Sequence, residues 1–383
     1  MTPTRLKAWT WTAALAASLA LTSPPAGAAQ APPAHPRPVV QLALLLDTSN
    51  SMDGLIDQAR VQLWKVVNTL SAARRGGVRP DLRIALYEYG NDGLPAGGHW
   101  IRLVTPFTSD LDLVSERLFA LTTNGGQEYC GAVIDRALHD LDWSRSADDL
   151  KLVFIAGNEP FTQGPVEFRR VVRQAASRGI TVNTIHCGPE GLGVETGWRD
   201  GALLSGGAFT TIDQDRVAVD PPAPQDAELV RLNEQLNRTY LAYGALGKAS
   251  QERQAAQDAN AAKMSSSALA ARTSSKAGAY YTNSGWDLVD GVRDGRVKLE
   301  ALKADDLPEE LRRLPPGERR AYVDARARER AALQQRIAAL SVERGAFLAK
   351  ARAAVADAGQ GTLDAAMLQT VKVQAAKKQY TLD

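Results

Sequence analysis

The sequence feature that constrains the fold most is an apolar run from Val39 to Leu46, which reads VVQLALLL. A run this short and this rich in Val and Leu is typical of a β-strand that is buried on both faces. A polar loop follows it, and apolar residues then return at helical spacing, at Leu55, Ala59, Leu63, Val66 and Leu70. This order of strand, loop and helix predicts an α/β unit. The loop should lie at the carboxyl end of the strand, where open α/β sheets bind their ligands.

The loop carries three side chains with hard oxygen atoms. Asp47, Ser49 and Ser51 alternate at a spacing of two residues, and oxygens that converge on one point suit a cation such as Mg²⁺. The loop of an EF-hand is excluded, because Met52 occupies the position where that loop needs glycine and no suitably spaced Glu follows. The alternative interpretation is an ordinary polar turn that caps the following helix.

The pattern Asp-x-Ser-x-Ser after a central strand resembles the metal-ion-dependent adhesion site of von Willebrand factor type A domains. Asp47, Ser49 and Ser51 stand at the matching positions. The resemblance implies that the two serine hydroxyls bind the metal directly and that the carboxylate binds it through water. It also implies that a Thr from a second loop and an Asp from a third loop complete the site.

The second and third loops depart from the family pattern. Residues 125–128, GGQE, place Glu128, or alternatively Gln127, where the family has Thr, and residues 157–160, GNEP, place Gly157 where the family has Asp. One carboxylate is gained and another is lost, so the number of anionic ligands could stay level. The resemblance therefore predicts a variant site for Mg²⁺, or alternatively Mn²⁺ or Ca²⁺, with Asp47, Ser49, Ser51 and Glu128 as ligands and Asn158 and Glu159 as further candidates.

Strands and helices alternate from Val39 to about Asp215. The apolar or alternating segments predict strands at Asp81 to Tyr89, His99 to Val104, Lys151 to Ala156, Ile180 to Ile185 and Gly207 to Ile212. Such an order predicts an α/β fold with a doubly wound, mostly parallel sheet. We therefore expect a Rossmann-like type A domain over residues 39–215, followed by a helical C-terminal domain.

The N-terminal residues have the three parts of a secretory signal. Arg5 and Lys7 precede an apolar stretch, and Ala26-Gly27-Ala28 forms a cleavage site of small residues. We expect a signal peptide over residues 1–28 and a proline-rich tether over residues 29–38. The mature protein would be secreted or periplasmic, without a transmembrane segment, and the Ala- and Arg-rich composition suggests a bacterial source.

The C-terminal half differs in character from the first domain. Prolines at 221, 222 and 224 indicate a linker over residues 216–224, and residues 225–383 are expected to be mainly helical. One apolar stripe contains Leu333, Ile337, Leu340 and Phe347 at helical spacing. The aromatic segment from Tyr280 to Asp290 is interpreted as a docking patch, with plain core packing as the alternative. The segment from Ala255 to Lys276 could be an exposed helix or a flexible stretch.

The chain contains two cysteines, Cys130 and Cys187. In an exported protein two cysteines favour a disulfide bond, which would stabilise the fold by about 4 kcal/mol in the chain-entropy model. The competing interpretation makes Cys187 a nucleophile beside His186. Adjacent residues of an extended segment point to opposite faces, so this arrangement is disfavoured.

These observations favour a protein-binding or adhesion module whose metal ion binds an acidic side chain of a protein partner. Lys and Arg number 45 and Asp and Glu number 43, which argues against a nucleic-acid partner. One alternative is a hydrolase with a metal-activated water, for which Glu128 or Glu159 could act as the base. The other is a metal-free scaffold of the cell envelope. The sequence leaves the oligomeric state open.

Overall fold

The computed structural model describes residues 37–213, 220–353 and 363–382. The predicted signal peptide, residues 29–36 of the predicted tether and residues 216–219 of the predicted linker lie outside the described residues.

The strands are β1 (Val39–Asp47), β2 (Ala73–Arg75), β3 (Asp81–Tyr89), β4 (Ile101–Thr108), β5 (Leu150–Gly157), β6 (Ile180–Cys187), β7 (Phe209–Ile212) and β8 (Tyr380–Leu382). The first six helices are α1 (Asp53–Ser71), α2 (Leu111–Phe119), α3 (Cys130–Asp140), α4 (Phe168–Ser177), α5 (Glu190–Glu195) and α6 (Trp198–Leu203). The remaining helices are α7 (Asp226–Asn237), α8 (Gly247–Met264), α9 (Ser266–Ala277), α10 (Leu288–Arg293), α11 (Glu309–Arg312), α12 (Pro316–Ala353) and α13 (Leu363–Lys377).

The main sheet has six strands in the order β4-β3-β1-β5-β6-β7. All neighbouring pairs are parallel except β3 and β4. Counted along the chain within this sheet, the order is 3-2-1-4-5-6, the order of a doubly wound sheet. The predicted fold class is therefore confirmed. The order reverses between β1 and β5, so the crevice between the carboxyl ends of these two strands is where such a fold binds ligands.

The central strand β1 is buried on both faces, as its composition predicts. Leu42, Leu44 and Leu46 belong to a core on one side of the sheet, while Ala43 and Leu45 belong to a core on the other side. Helices α3, α4 and α6 cover the second side. The first side is covered by α1 and α2 together with helices of the C-terminal half.

The C-terminal half completes the first core. Leu229 and Leu232 of α7, Ile337 of α12 and Met367 and Val371 of α13 are buried in it. The last strand, β8, pairs in antiparallel fashion with β2, so the C-terminal end of the described chain forms a small second sheet with the segment after α1. Residues Arg37–Asp383 accordingly form one compact unit.

A buried group of charged side chains joins α2 to α8 and α9. The guanidinium of Arg272 donates to Asp112 at 2.7 Å and to Asp258 at 2.6 Å, and Lys276 donates to Asp258 at 2.9 Å. The Tyr281 hydroxyl donates to Asp112 at 2.5 Å. The predicted docking segment thus contacts α2 through a buried tyrosine.

Two local predictions need correction. Strand β4 begins at Ile101 and not at His99, because His99 and Trp100 have φ values of 59° and 52°, which are incompatible with a strand. On α12 the buried position near the end of the predicted stripe is Leu348 and not Phe347, whose side chain is exposed. Among the helices of the described residues, none has the combination of length and apolar sequence that crossing a membrane requires.

Candidate metal centre

Asp47 is the last residue of β1, and its carboxylate is fully buried at the switch point of the sheet. Oδ1 accepts a hydrogen bond of 2.8 Å from the backbone N–H of Ser49, which fixes the turn after the strand. Oδ2 is buried and has no hydrogen-bond partner. A carboxylate oxygen in this state has lost its hydration without a replacement, which is costly unless a cation or a proton is bound.

The two serines of the loop lie side by side. Ser49 Oγ and Ser51 Oγ are 3.3 Å apart, and Asn158 Nδ2 donates to Ser51 Oγ at 3.1 Å. Ser49 is buried and Ser51 is exposed. The cluster is therefore closed on the side of Asp47 and open to solvent on the side of Ser51.

The second loop brings Glu128 to the same place. A Cβ built at Gly126 would lie 2.2 Å from the carbonyl oxygen of Gly90, so only glycine allows the loop to approach the end of β3 this closely. A Cβ built at Gly90 would lie 2.7 Å from Glu128 Cγ and 3.0 Å from Asp47 Oδ1. Glu128 and Asp47 thus flank one glycine, whereas the side chain of Gln127 is exposed.

The third loop contributes Asn158 through its bond to Ser51, and the Asn158 Oδ1 atom is buried without a hydrogen-bond partner. Glu159 is half-buried, and its charge acts on both Asp47 and Glu128. The structure therefore brings together every residue that the sequence predicts for the site.

The carboxylates of the site repel one another in a dehydrated setting. Burial raises the pKa of Asp47 to about 7, against hydrogen bonds from Ser49 that lower it, and the charges of Glu128 and Glu159 add to the rise. Burial also raises the pKa of Glu128 to about 7, with a further contribution from the charge of Glu159. A cation bound among these groups would oppose both effects, because a positive charge favours the ionised form.

The donor set fits a hard cation. It offers the unpartnered Oδ2 of Asp47, the hydroxyls of Ser49 and Ser51 and the carboxylate of Glu128, all of them oxygen ligands of the kind that Mg²⁺ and Ca²⁺ accept. Within residues 37–213, 220–353 and 363–382, no group of three or more His, Cys, Asp or Glu side chains is arranged to hold a metal. Coordination of a metal ion at this site would therefore require the hydroxyl groups of Ser49 and Ser51 as ligands.

The predicted disulfide is wrong for this structure. Cys130 and Cys187 are both free and buried. Cys130 packs into the core on the α3 side of the sheet, where its thiol lies 3.8 Å from the Tyr89 hydroxyl, whereas Cys187 packs into the core on the opposite side. The sheet separates the two sulfur atoms, since strand β6 continues through Cys187.

The end of β3 and the loop after it also lie at the site, and the sequence analysis did not predict this contribution. The Tyr89 hydroxyl donates to the carbonyl of Ala156 at 3.0 Å and ties β3 to the end of β5. Asp92, in the loop that follows, adds negative charge near Glu128. The polar residues Asn91 and Asp92 directly after a predicted strand were a signal that this loop reaches the same edge.

The strand order, the switch point and the Asp-x-Ser-x-Ser loop at the carboxyl edge of the sheet together define the class of fold. Residues 39–212 form the doubly wound, mostly parallel α/β fold that the resemblance to type A domains predicts. The C-terminal half adds helices to one face of this fold.

Solved structures with a similar fold come from several sources. BatB from Bacteroides thetaiotaomicron is 15% identical, with 45% of this chain and 90% of that chain covered and a TM-score of 0.35. The von Willebrand domain of the pilus tip protein Mfa5 from Porphyromonas gingivalis is 13% identical, with 46% and 91% covered and a TM-score of 0.34. Proximal thread matrix protein 1 from the mussel byssus, solved with zinc in its adhesion-site motif, is 11% identical, with a TM-score of 0.35 and 47% of this chain covered.

The match spans 43% of the length of the mussel protein. No family model matches the sequence, and no curated protein is similar to it at a significant level.

Proposed function

We propose that this chain is an exported protein-binding module that holds a divalent cation at Asp47, Ser49 and Ser51 and captures a protein through an acidic side chain. The observation that carries the proposal is the Oδ2 atom of Asp47, which is buried beside two serine hydroxyls and has no hydrogen-bond partner. Mg²⁺ is the preferred ion, since the site offers oxygen atoms alone.

The neighbouring residues support the site in different ways. Asn158 orients Ser51 by donating a hydrogen bond to its hydroxyl. Glu128 stands where the family has a threonine and supplies a carboxylate near Asp47. Gly157 leaves the space in which the Asp47 carboxylate lies.

The access to the site suits recognition of a protein. Ser51, Asn50 and Gln127 are exposed at the open side, whereas Asp47, Ser49 and Glu128 are buried. A cation held by the buried oxygens would present its remaining coordination positions toward solvent, and a carboxylate of a partner is a suitable ligand for them. The chemistry proposed is binding without turnover.

The proposed location follows from the sequence. Residues 1–28 have the order of a secretory signal, and a partner would then be met in the periplasm or outside the cell.

A capture experiment tests this function. The immobilised mature protein is exposed to envelope and secreted proteins of the producing organism, with Mg²⁺ or with a chelator. A partner should be retained in Mg²⁺, lost in chelator and lost by the Ser49→Ala/Ser51→Ala variant. The matched control is Ser250→Ala/Ser266→Ala, whose side chains lie away from the site in helices α8 and α9. The proposal would be contradicted if the Ser49→Ala/Ser51→Ala variant in chelator retained as much partner as wild type does in Mg²⁺.

A further inference from the structure

A second cavity lies at the opposite edge of the sheet from the candidate metal centre. It has a volume of about 390 Å³ and is lined by residues around the start of β3, by the connection from β4 to α2 and by the segment after α9. Strand β3 runs for nine residues from this cavity to the Glu128 loop, a distance of about 30 Å at the usual rise per residue. The cavity is therefore independent of the metal centre.

The cavity is lined by three arginines and a single acidic residue, Asp81. Arg37 lies 3.6 Å from Asp81 in an exposed ion pair. Arg79 and Arg83 have no acidic partner within the described part of the chain. The cavity thus has an excess of two positive charges, which is complementary to a dianion.

Tyr280 also lines this cavity. The Tyr280 hydroxyl is buried and has no partner within the described residues. Burial raises the pKa of Tyr280 to about 12, and the nearby charge of Arg79 acts in the opposite direction. Tyr280 is therefore protonated at neutral pH, and its buried O–H group lacks an acceptor. Because this hydroxyl is closed off from the solvent in the cavity, a ligand there would be held by the arginines.

The geometry points to a binding site for a phosphate group in this cavity, formed by Arg79 and Arg83. Guanidinium groups bind phosphate oxygens through paired, charge-assisted hydrogen bonds. The exposed hydroxyls of Ser109 and Thr282, which also line the cavity, are further donors. The volume of about 390 Å³ exceeds that of inorganic phosphate and accommodates an organic phosphate or a phosphorylated head group.

Inorganic phosphate is the first probe. It is titrated into the mature protein by calorimetry at constant ionic strength, with sodium nitrate as the control anion. Wild type should bind phosphate saturably, and Arg79→Gln/Arg83→Gln should bind it about tenfold more weakly or not at all. The matched control Arg199→Gln/Arg328→Gln removes two exposed arginines elsewhere and should bind like wild type.

The proposal would be overturned if wild type bound no phosphate or bound nitrate as tightly as phosphate. It would also be overturned if Arg79→Gln/Arg83→Gln and the control Arg199→Gln/Arg328→Gln lost phosphate binding to the same extent. Vesicles of phosphatidylglycerol or phosphatidylcholine then identify the source of the phosphate group. Sedimentation with phosphatidylglycerol that is lost in Arg79→Gln/Arg83→Gln assigns a lipid head group. Phosphate binding without vesicle binding assigns a soluble phosphate compound.

Discussion

Gly157 lies directly against the carboxylate of Asp47, so that a Cβ at Gly157 would be 2.8 Å from Asp47 Oδ2 and 2.5 Å from the Tyr89 hydroxyl. This contact explains the departure of the third loop from the family pattern. The space that a side chain at 157 would need is already taken by Asp47 and Tyr89. The second carboxylate near Asp47 comes from the Glu128 loop, where a Cβ built at Gly90 would lie 2.7 Å from Glu128 Cγ and 3.0 Å from Asp47 Oδ1.

This contact gives a first prediction. Gly157→Ala should lower the free energy of unfolding by about 1–3 kcal/mol, as overpacking of a dense site does, and should weaken cation binding by displacing Asp47 Oδ2. Urea unfolding with and without Mg²⁺ measures both effects.

The matched control for this prediction is Gly97→Ala, because a Cβ at Gly97 meets no atom within 4 Å. This variant should change the free energy of unfolding by less than about 1 kcal/mol. If Gly157→Ala were as stable as Gly97→Ala and bound Mg²⁺ like wild type, the proposed contact would be wrong.

Much of the sheet could be predicted because its strands are continuous apolar runs. β3 was predicted with the same bounds, and the register of β1 against β3 brings Asp47 opposite Tyr89. β2 and β8 were missed, since strands of three residues have no measurable periodicity. Helix α8 stayed undecided because its buried face carries the polar residues Gln254, Gln257 and Asp258 and has no apolar stripe. Gln254 and Gln257 bond to the hydroxyls of Tyr281 and Ser115, and Asp258 pairs with Arg272.

The proximity of Asp47, Ser49 and Ser51 to Asn158 could be predicted because these residues follow strands at one edge of the sheet, and their role as metal ligands stays a prediction. The pairing of the cysteines could not be predicted, because sequence position does not say on which side of the sheet each thiol packs. The role of Gly157 was visible as a departure from the family pattern, but the reason for it required the positions of Asp47 and Tyr89.

A second prediction concerns the thiols. Burial raises the pKa of both Cys130 and Cys187 above the ordinary value for a thiol, so neither should react with a thiol reagent in the native protein. In denaturant and without reductant, two thiols per chain should react. If no thiol reacted under those conditions, Cys130 and Cys187 would form a disulfide bond and this prediction would be wrong.

A third prediction concerns acid stability. Burial acts to raise the pKa of Asp258, but the charges of Lys276 and Arg272 outweigh it and hold the pKa of this carboxyl well below its usual range. As the pH falls below about 4, the unfolded chain takes up a proton at Asp258 that the folded chain does not. The free energy of unfolding should therefore fall with pH in this range.

Asp258→Asn removes this proton uptake and should flatten the dependence of the free energy of unfolding on pH between 5 and 3. The variant should also be less stable than wild type at neutral pH, by about 3–5 kcal/mol, because Arg272 and Lys276 lose a buried partner. The control Asp324→Asn changes an exposed carboxylate on α12 and should retain the slope of wild type. An equal slope in Asp258→Asn and Asp324→Asn would exclude Asp258 as its source.

Titration of the mature protein with Mg²⁺ and Mn²⁺ by calorimetry tests the central claim most directly. Wild type should bind one ion per chain, Ser49→Ala/Ser51→Ala should bind about tenfold more weakly or not at all, and Ser250→Ala/Ser266→Ala should bind like wild type. All variants should keep the circular dichroism of wild type, because the hydroxyls at 49 and 51 lie outside the two cores. Wild type that binds neither ion, or a Ser49→Ala/Ser51→Ala variant that binds as tightly as wild type, would contradict the account.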